Sequence, residues 1–184
     1  QRHMGVITKN VTICNHVIRD LYTFTHNPAL KLALVKVTDF ISSLIKYTKE
    51  KIEQYPNIRI ESNIETSIPP IMVDEFRLLQ AFKNLIDNGF EAMSEEGILS
   101  ISASYNDIDN NILIEIGDTG CGMTGEEMNK IFVPLYSSKR TGFGLGMSVV
   151  KDVIDAHSGS IQIKSEKNVG TTFITKLQAY KKLS

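Results

Sequence analysis

Between Val73 and Met93 the apolar residues Phe76, Leu79, Phe82, Leu85, Ile86 and Phe90 recur with the period of an α-helix. A helix this long with one greasy face must bury it, and the following chain supplies the surface. Ile98 to Tyr105 and Asn111 to Ile116 alternate as strands do, joined by an Asn/Asp-rich turn. Ser160 to Ser165 and Thr171 to Leu177 form a second, closing hairpin. Upstream, Leu32 to Val37 reads as extended, and Asp39 to about Tyr55 as a helix capped by Thr38 or Asp39. Ile58 to Ile64 alternates again, and Ile68-Pro-Pro-Ile71 reads as a rigid connector. A short helix near Glu126 and a helix from about Gly144 to His157 complete the set. The pattern predicts an α/β sandwich: a mixed, largely antiparallel sheet covered by helices on one face.

One bundle helix is expected before this unit. Ile7, Val11, Cys14, Ile18 and Leu21 alternate steps of four and three between Val6 and Phe24, the a/d spacing of helix-on-helix packing. An ordinary two-sided core helix is the other reading of this segment. His26-Asn27-Pro28 ends it, because the residue before proline avoids the helical region. Two units are therefore expected, residues 1–27 and 32–180, and the opening inside a helix reads as a fragment.

Composition excludes more than it identifies. Lys and Arg number 20 and Asp and Glu 21, for a net charge of −1, so no strong non-specific pull on nucleic acid is expected. Cys14 and Cys121 lie far apart without CxxC or Cys/His spacing, which argues against a zinc site or disulfide scaffold and suits a reducing compartment. No apolar run reaches the roughly 18 residues of a membrane span.

Four features fall in order on the larger unit. Asn84 and Asn88 sit four apart on one helix face inside an apolar stripe. They are either hydrogen-bonded core amides or oxygen ligands for a hard cation. Asp118-Thr-Gly-Cys-Gly122-Met follows an apolar strand. It is either a tight turn or a carboxylate that accepts an amine while Gly120 and Gly122 let a planar ring lie close. Ile131-Phe-Val-Pro-Leu-Tyr-Ser-Ser-Lys139 is an aromatic-anchored loop ending in a cation. Gly142-Phe-Gly-Leu-Gly146-Met leads into a helix N-terminus, where free amides and the dipole favour phosphate. It is neither a Walker loop nor a Rossmann fingerprint.

In this order, and with Gly170-Thr-Thr-Phe173 closing the set, the motifs resemble the ATP-binding core of two-component sensor histidine kinases. That group is a branch of the GHKL superfamily of Hsp90, gyrase and MutL, whose fold is the Bergerat type. The resemblance runs from about Leu32 to Leu177. It implies ATP and Mg²⁺ as cofactors. Asn88 would be the principal Mg²⁺ ligand, with Asn84 beside it. Asp118 would accept the adenine amino group over Gly120 and Gly122. Lys139 would reach the phosphates from a lid hinged at Gly142, Gly144 and Gly146, with Leu145 among them, and Thr172 would support the adenine pocket. Phe143 and Met147 depart from the usual second glycine box. Met123, Ile86 and Ile131 are either pocket walls or core.

The resemblance further implies transfer of the γ-phosphoryl to a histidine for relay to a response-regulator receiver domain. It also implies a homodimeric parent and a cytoplasmic setting, with an anchor possible upstream. None of His3, His16, His26 and His157 has the expected acidic neighbour and spaced proline, so the acceptor is expected on a helix missing from this chain. His157 would close a helix, where a cation suits the dipole. Related hydrolases place a glutamate where this chain has Asn84, which favours a kinase over a hydrolase. A nucleotide-binding pseudokinase is the remaining alternative.

Overall fold

The computed structural model describes residues 29–93, 96–136 and 144–181. The expected bundle helix, with Cys14, His3, His16 and His26, lies outside the described residues, as do Lys139, Gly142 and Phe143.

Seven strands and four helices alternate along the described chain. They are β1 (Ala33–Val35), α1 (Val37–Ile52), β2 (Asn57–Ile64), β3 (Ile71–Val73), α2 (Glu75–Met93) and β4 (Glu96–Asn106). β5 (Asn111–Asp118), α3 (Gly125–Lys130), α4 (Gly146–Ala156), β6 (Ser160–Glu166) and β7 (Gly170–Gln178) follow. The main sheet has the order β2-β4-β5-β7-β6. β2 runs parallel to β4, and the other three neighbours pair antiparallel. The parallel pair needs a crossover, and β3 with α2 provides it.

One face of this sheet is apolar. Ile112, Ile114 and Ile116 on β5 are buried with Leu99, Ile101 and Ala103 on β4 and Phe173 and Leu177 on β7. On that face α2 packs against β4 and β5, with α1 on one flank and α4 on the other. Phe40 and Phe82 meet edge to face at 5.4 Å between ring centroids, and Tyr55 stacks on Phe90 at 4.9 Å. Burial of this quality contributes about 25 cal/mol for each Å² of apolar surface removed from water. Among the described residues no helix is long and apolar enough to cross a membrane.

Three expectations shift. Helix α1 begins at Val37 and ends at Ile52; its N-cap is Lys36 without a side-chain cap, so neither Thr38 nor Asp39 caps it. Ile71, expected in a connector, opens β3, which pairs with β1 as a separate two-stranded sheet. Phe76 is 75% exposed, because α2 turns the face of Leu78, Ala81, Phe82 and Leu85 to the core and Phe76 lies on the opposite side of its first turn.

Candidate nucleotide site

The third and fourth turns of α2 carry Asn84 and Asn88. The apolar period around them locks the helix rotation, so the amides emerge on the side facing α4. The Nδ2 group of Asn84 donates to the Gly146 carbonyl at 3.4 Å, and that of Asn88 lies 2.9 Å from Met147 Sδ. Each amide nitrogen therefore faces α4, and the oxygen, the atom a hard cation takes, points to the other side of the amide. Met147, one of the two unusual residues of the second glycine stretch, is thus in contact with Asn88.

Asp87, between them, turns the other way. Tyr47 on α1 donates to both its oxygens, at 2.7 and 2.9 Å, and Lys51 pairs with it at 2.8 Å. Burial, then the charge and hydrogen bond of Asp87, push the Tyr47 hydroxyl well above its ordinary range, so it remains a donor. This link holds α1 to the helix turn that presents the asparagines.

Asp118 ends β5 on the apolar face, and the backbone of Gly120 donates to its Oδ1 at 2.8 Å. The loop after it lies flat on the last turn of α2: Cys121 N–H donates to the Ala92 carbonyl at 3.0 Å. A Cβ on Gly120 would sit 2.6 Å from that carbonyl, so only glycine fits. Gly89 is a second close approach. A Cβ there would be 2.7 Å from Leu99 Cδ1 and 3.5 Å from Asp118 Cβ. Gly89 was not among the expected site residues, although a glycine inside a helix costs about 1 kcal/mol relative to alanine and so signals a packing constraint. Gly122 takes a left-handed φ of 58° against the β6–β7 turn, where Asn168 N–H donates to the Cys121 carbonyl at 2.8 Å.

Register decides between two adjacent threonines. Asp118 pairs with Thr171, whereas Thr172 pairs with Gly117. A Cβ on Gly117 would lie 3.3 Å from Thr172 Oγ1, on the opposite face of the sheet from Asp118. Thr172, the expected residue, is thus turned away, and Thr171, 6% exposed, shares the face of Asp118. Of the three residues expected either to wall a pocket or to pack in the core, Ile86 is fully buried, and Met123 and Ile131 pack half-buried against the core.

The second glycine stretch is described from Gly144 onward. Gly144 adopts φ 67°, and its carbonyl accepts from Leu135 N–H at 3.0 Å. The Leu145 side chain is buried, and its carbonyl accepts from Val149 N–H and Ser148 Oγ. Leu145 is the N-cap of α4 and gives no side-chain cap, so the first amides of this helix are left to another partner. His157, at the far end, is not a helix-end cation. Its Nε2 accepts from the Asp74 amide at 2.9 Å while Nδ1 contacts the Val153 carbonyl at 2.7 Å, an arrangement that needs the neutral ring with its proton on Nδ1.

Asn84 and Asn88, the uncapped start of α4, and Asp118 with its glycine loop therefore meet around one end of α2. A fold of this kind holding amide oxygens, helix amides and a strand-end carboxylate defines a nucleotide-binding ATPase core. Residues 73–181 match the profile of histidine kinase-, DNA gyrase B- and HSP90-like ATPases, and the chain belongs to that family. Sensor histidine kinase ZraS of Escherichia coli (strain K12) is 29% identical over 171 residues, 91% of this chain and 36% of that protein. The chain thus spans about a third of the length of that curated relative. The nucleotide-free catalytic domain of histidine kinase ThkA superposes with a TM-score of 0.72 at 25% identity, covering 81% of this chain and 96% of that one. ThkA in complex with response regulator protein TrrA shares the fold at a TM-score of 0.81 and 20% identity, over 98% of this chain and 51% of that one.

Proposed function

We propose that residues 32–180 are the catalytic domain of a sensor histidine kinase, binding Mg-ATP and directing its γ-phosphoryl to a histidine outside this chain. The observation that carries the reading is the convergence of Asn84 and Asn88 with the start of α4, beside a strand-end carboxylate laid over glycine. Asn88 would hold Mg²⁺ through its amide oxygen, with Asn84 beside it. The ion would supply charge neutralisation to the phosphates. The chain's own residues do the positioning on which phosphoryl transfer chiefly depends. Asp118 accepts from the adenine amino group, Gly120 and Gly122 let the ring lie close, and the α4 amides from Gly146 onward face the phosphates. In this reading Thr171 takes the place expected of Thr172. Lys139 and Gly142, outside the described residues, retain the roles of phosphate cation and lid hinge.

The proposed receiver of the phosphoryl group, after the histidine, is a response regulator, as befits a domain sharing the fold of ThkA. The setting is the cytoplasm, where ATP and such a regulator are found, and the parent is a homodimer. Binding of ADP and ATP with and without Mg²⁺, by Asn88→Ala and by the natural residue, tests the site: the substitution should remove the Mg²⁺-dependent part of the affinity and leave the fold intact. Unchanged Mg²⁺ dependence would take Asn88 off the metal. The reaction is tested on a longer natural chain with γ-labelled ATP. Acid-labile, base-stable label on protein supports the kinase, whereas free phosphate without label supports a hydrolase.

A further inference from the structure

Ser165, at the end of β6, makes three short contacts with one hydroxyl. Met123 N–H lies 2.8 Å from its Oγ, the Gly170 carbonyl 2.9 Å and Thr171 Oγ1 2.9 Å. A hydroxyl has one proton and two lone pairs. The Met123 amide can only donate, so Ser165 accepts there. The Gly170 carbonyl can only accept, so the single proton of Ser165 goes to it. The contact with Thr171 is then settled: Thr171 donates to Ser165. Its proton is spent, and toward Asp118, directly across the strand pair, Thr171 offers lone pairs alone.

The consequence is a wall of uniform polarity. The Asp118 carboxylate accepts, and the adjacent Thr171 hydroxyl accepts. An edge bearing an amine, with two N–H donors, satisfies such a wall, whereas a carbonyl oxygen placed there meets acceptors only. Sites built this way discriminate strongly, because the wrong group leaves buried polar atoms unpaired.

Resting on the nucleotide reading above, we propose that Ser165 is a positioning residue that fixes the hydrogen-bond direction of Thr171 and so selects a 6-amino over a 6-oxo purine. Removing the Ser165 hydroxyl frees the Thr171 proton to turn toward the ligand and donate to a 6-oxo group. It also strands the Met123 amide, which weakens any nucleotide, so the affinity ratio is the informative quantity.

The experiment is calorimetric titration of ADP and of IDP, which differ only at the purine 6-position and the N1 proton that follows from it, into the natural protein and Ser165→Ala. The natural protein should prefer ADP by about a hundredfold or more, and Ser165→Ala should cut that preference by about tenfold. Equal weakening of both ligands with an unchanged ratio overturns the proposal and leaves Ser165 a clamp between loops. Should Ser165→Ala fail to fold by circular dichroism, the near-isosteric Thr171→Val is read the same way: ADP should weaken while IDP does not, and an unchanged ratio again overturns it. Failure of the natural protein to bind either nucleotide sinks the underlying site, a result distinct from a lost preference.

Discussion

The backbone N–H of Asp74 donates to the Nε2 atom of His157 at 2.9 Å, joining the start of α2 to the end of α4. Both helices contribute to the proposed site, so the bond fixes one against the other at the end remote from the asparagines. Asp74 is buried, and without the imidazole its amide loses its partner. His157→Ala should cost about 1–3 kcal/mol, read as a lower urea midpoint with an unchanged slope. A change below ~0.5 kcal/mol would show that water replaces the ring.

Asp74 also carries a pH signature. Burial pushes its carboxyl upward, but the amides of Lys31 and Arg77 and the Arg77 guanidinium together outweigh this and hold it below its ordinary value. A depressed carboxylate contributes stability that is complete above its unfolded value near 3.9 and is lost as pH falls through the lower native value. Asp74→Asn should therefore be less stable than the natural protein at pH 7, with the gap closing below about pH 4. Urea unfolding at both pH values checks this; a constant gap would contradict it.

Gly89 predicts a loss of binding by steric means. A methyl group in Gly89→Ala would meet Leu99 at 2.7 Å and press toward Asp118. The gain of helix propensity, about 1 kcal/mol, should be outweighed by overpacking of about 1–3 kcal/mol. ADP affinity should fall about tenfold or more as the carboxylate shifts. Improved stability with intact affinity would mean that Leu99 simply moves aside.

Thr175 Oγ1 is buried and finds no hydrogen-bond partner among the described residues, on the same face of β7 as Phe173 and Leu177. Thr175→Val keeps the shape and removes the orphan hydroxyl, so it should stabilise by about 1 kcal/mol. Thermal unfolding would register this as a rise of a few degrees. A fall would reveal a hidden partner for the hydroxyl.

Tyr47→Phe cuts the link to Asp87 and leaves Lys51 as its neighbour. It should cost about 1–2 kcal/mol, since the lost acceptor is charged. Nucleotide affinity would fall with it only if the link sets the rotation of α2. Paired measurements of unfolding and ADP binding separate those two roles.

The alternation and periodicity of the larger unit were legible because one buried face imposes them. The five-stranded sheet, α2 and the positions of Asn84, Asn88, Asp118 and Gly120 follow from that pattern. β3 was not: it has three residues, too few for a period, and its pairing with β1, which did read as extended, joins positions far apart in sequence, Ala33 with Val73. The choice between Thr171 and Thr172 was equally hidden. Two identical neighbours carry no pattern, and a one-residue change of register exchanges the faces. Phe76 misled because it is apolar yet sits on the solvent face of the first turn of α2, between buried Asp74 and Leu78. Gly89 could have been found, as a glycine amid a strong helical period.

The pairing of Asp118 with Thr171 has a further consequence for how the domain comes into being. A chain emerging from the ribosome completes α2, β4 and β5, with both asparagines and the carboxylate, well before β7 is synthesised. The order β4-β5-β7 leaves β5 with an open edge until that last strand arrives. On the proposed site, nucleotide rewards only the finished domain, and a chain truncated before β7 would carry both asparagines, the carboxylate and both glycine loops yet gain nothing from ATP.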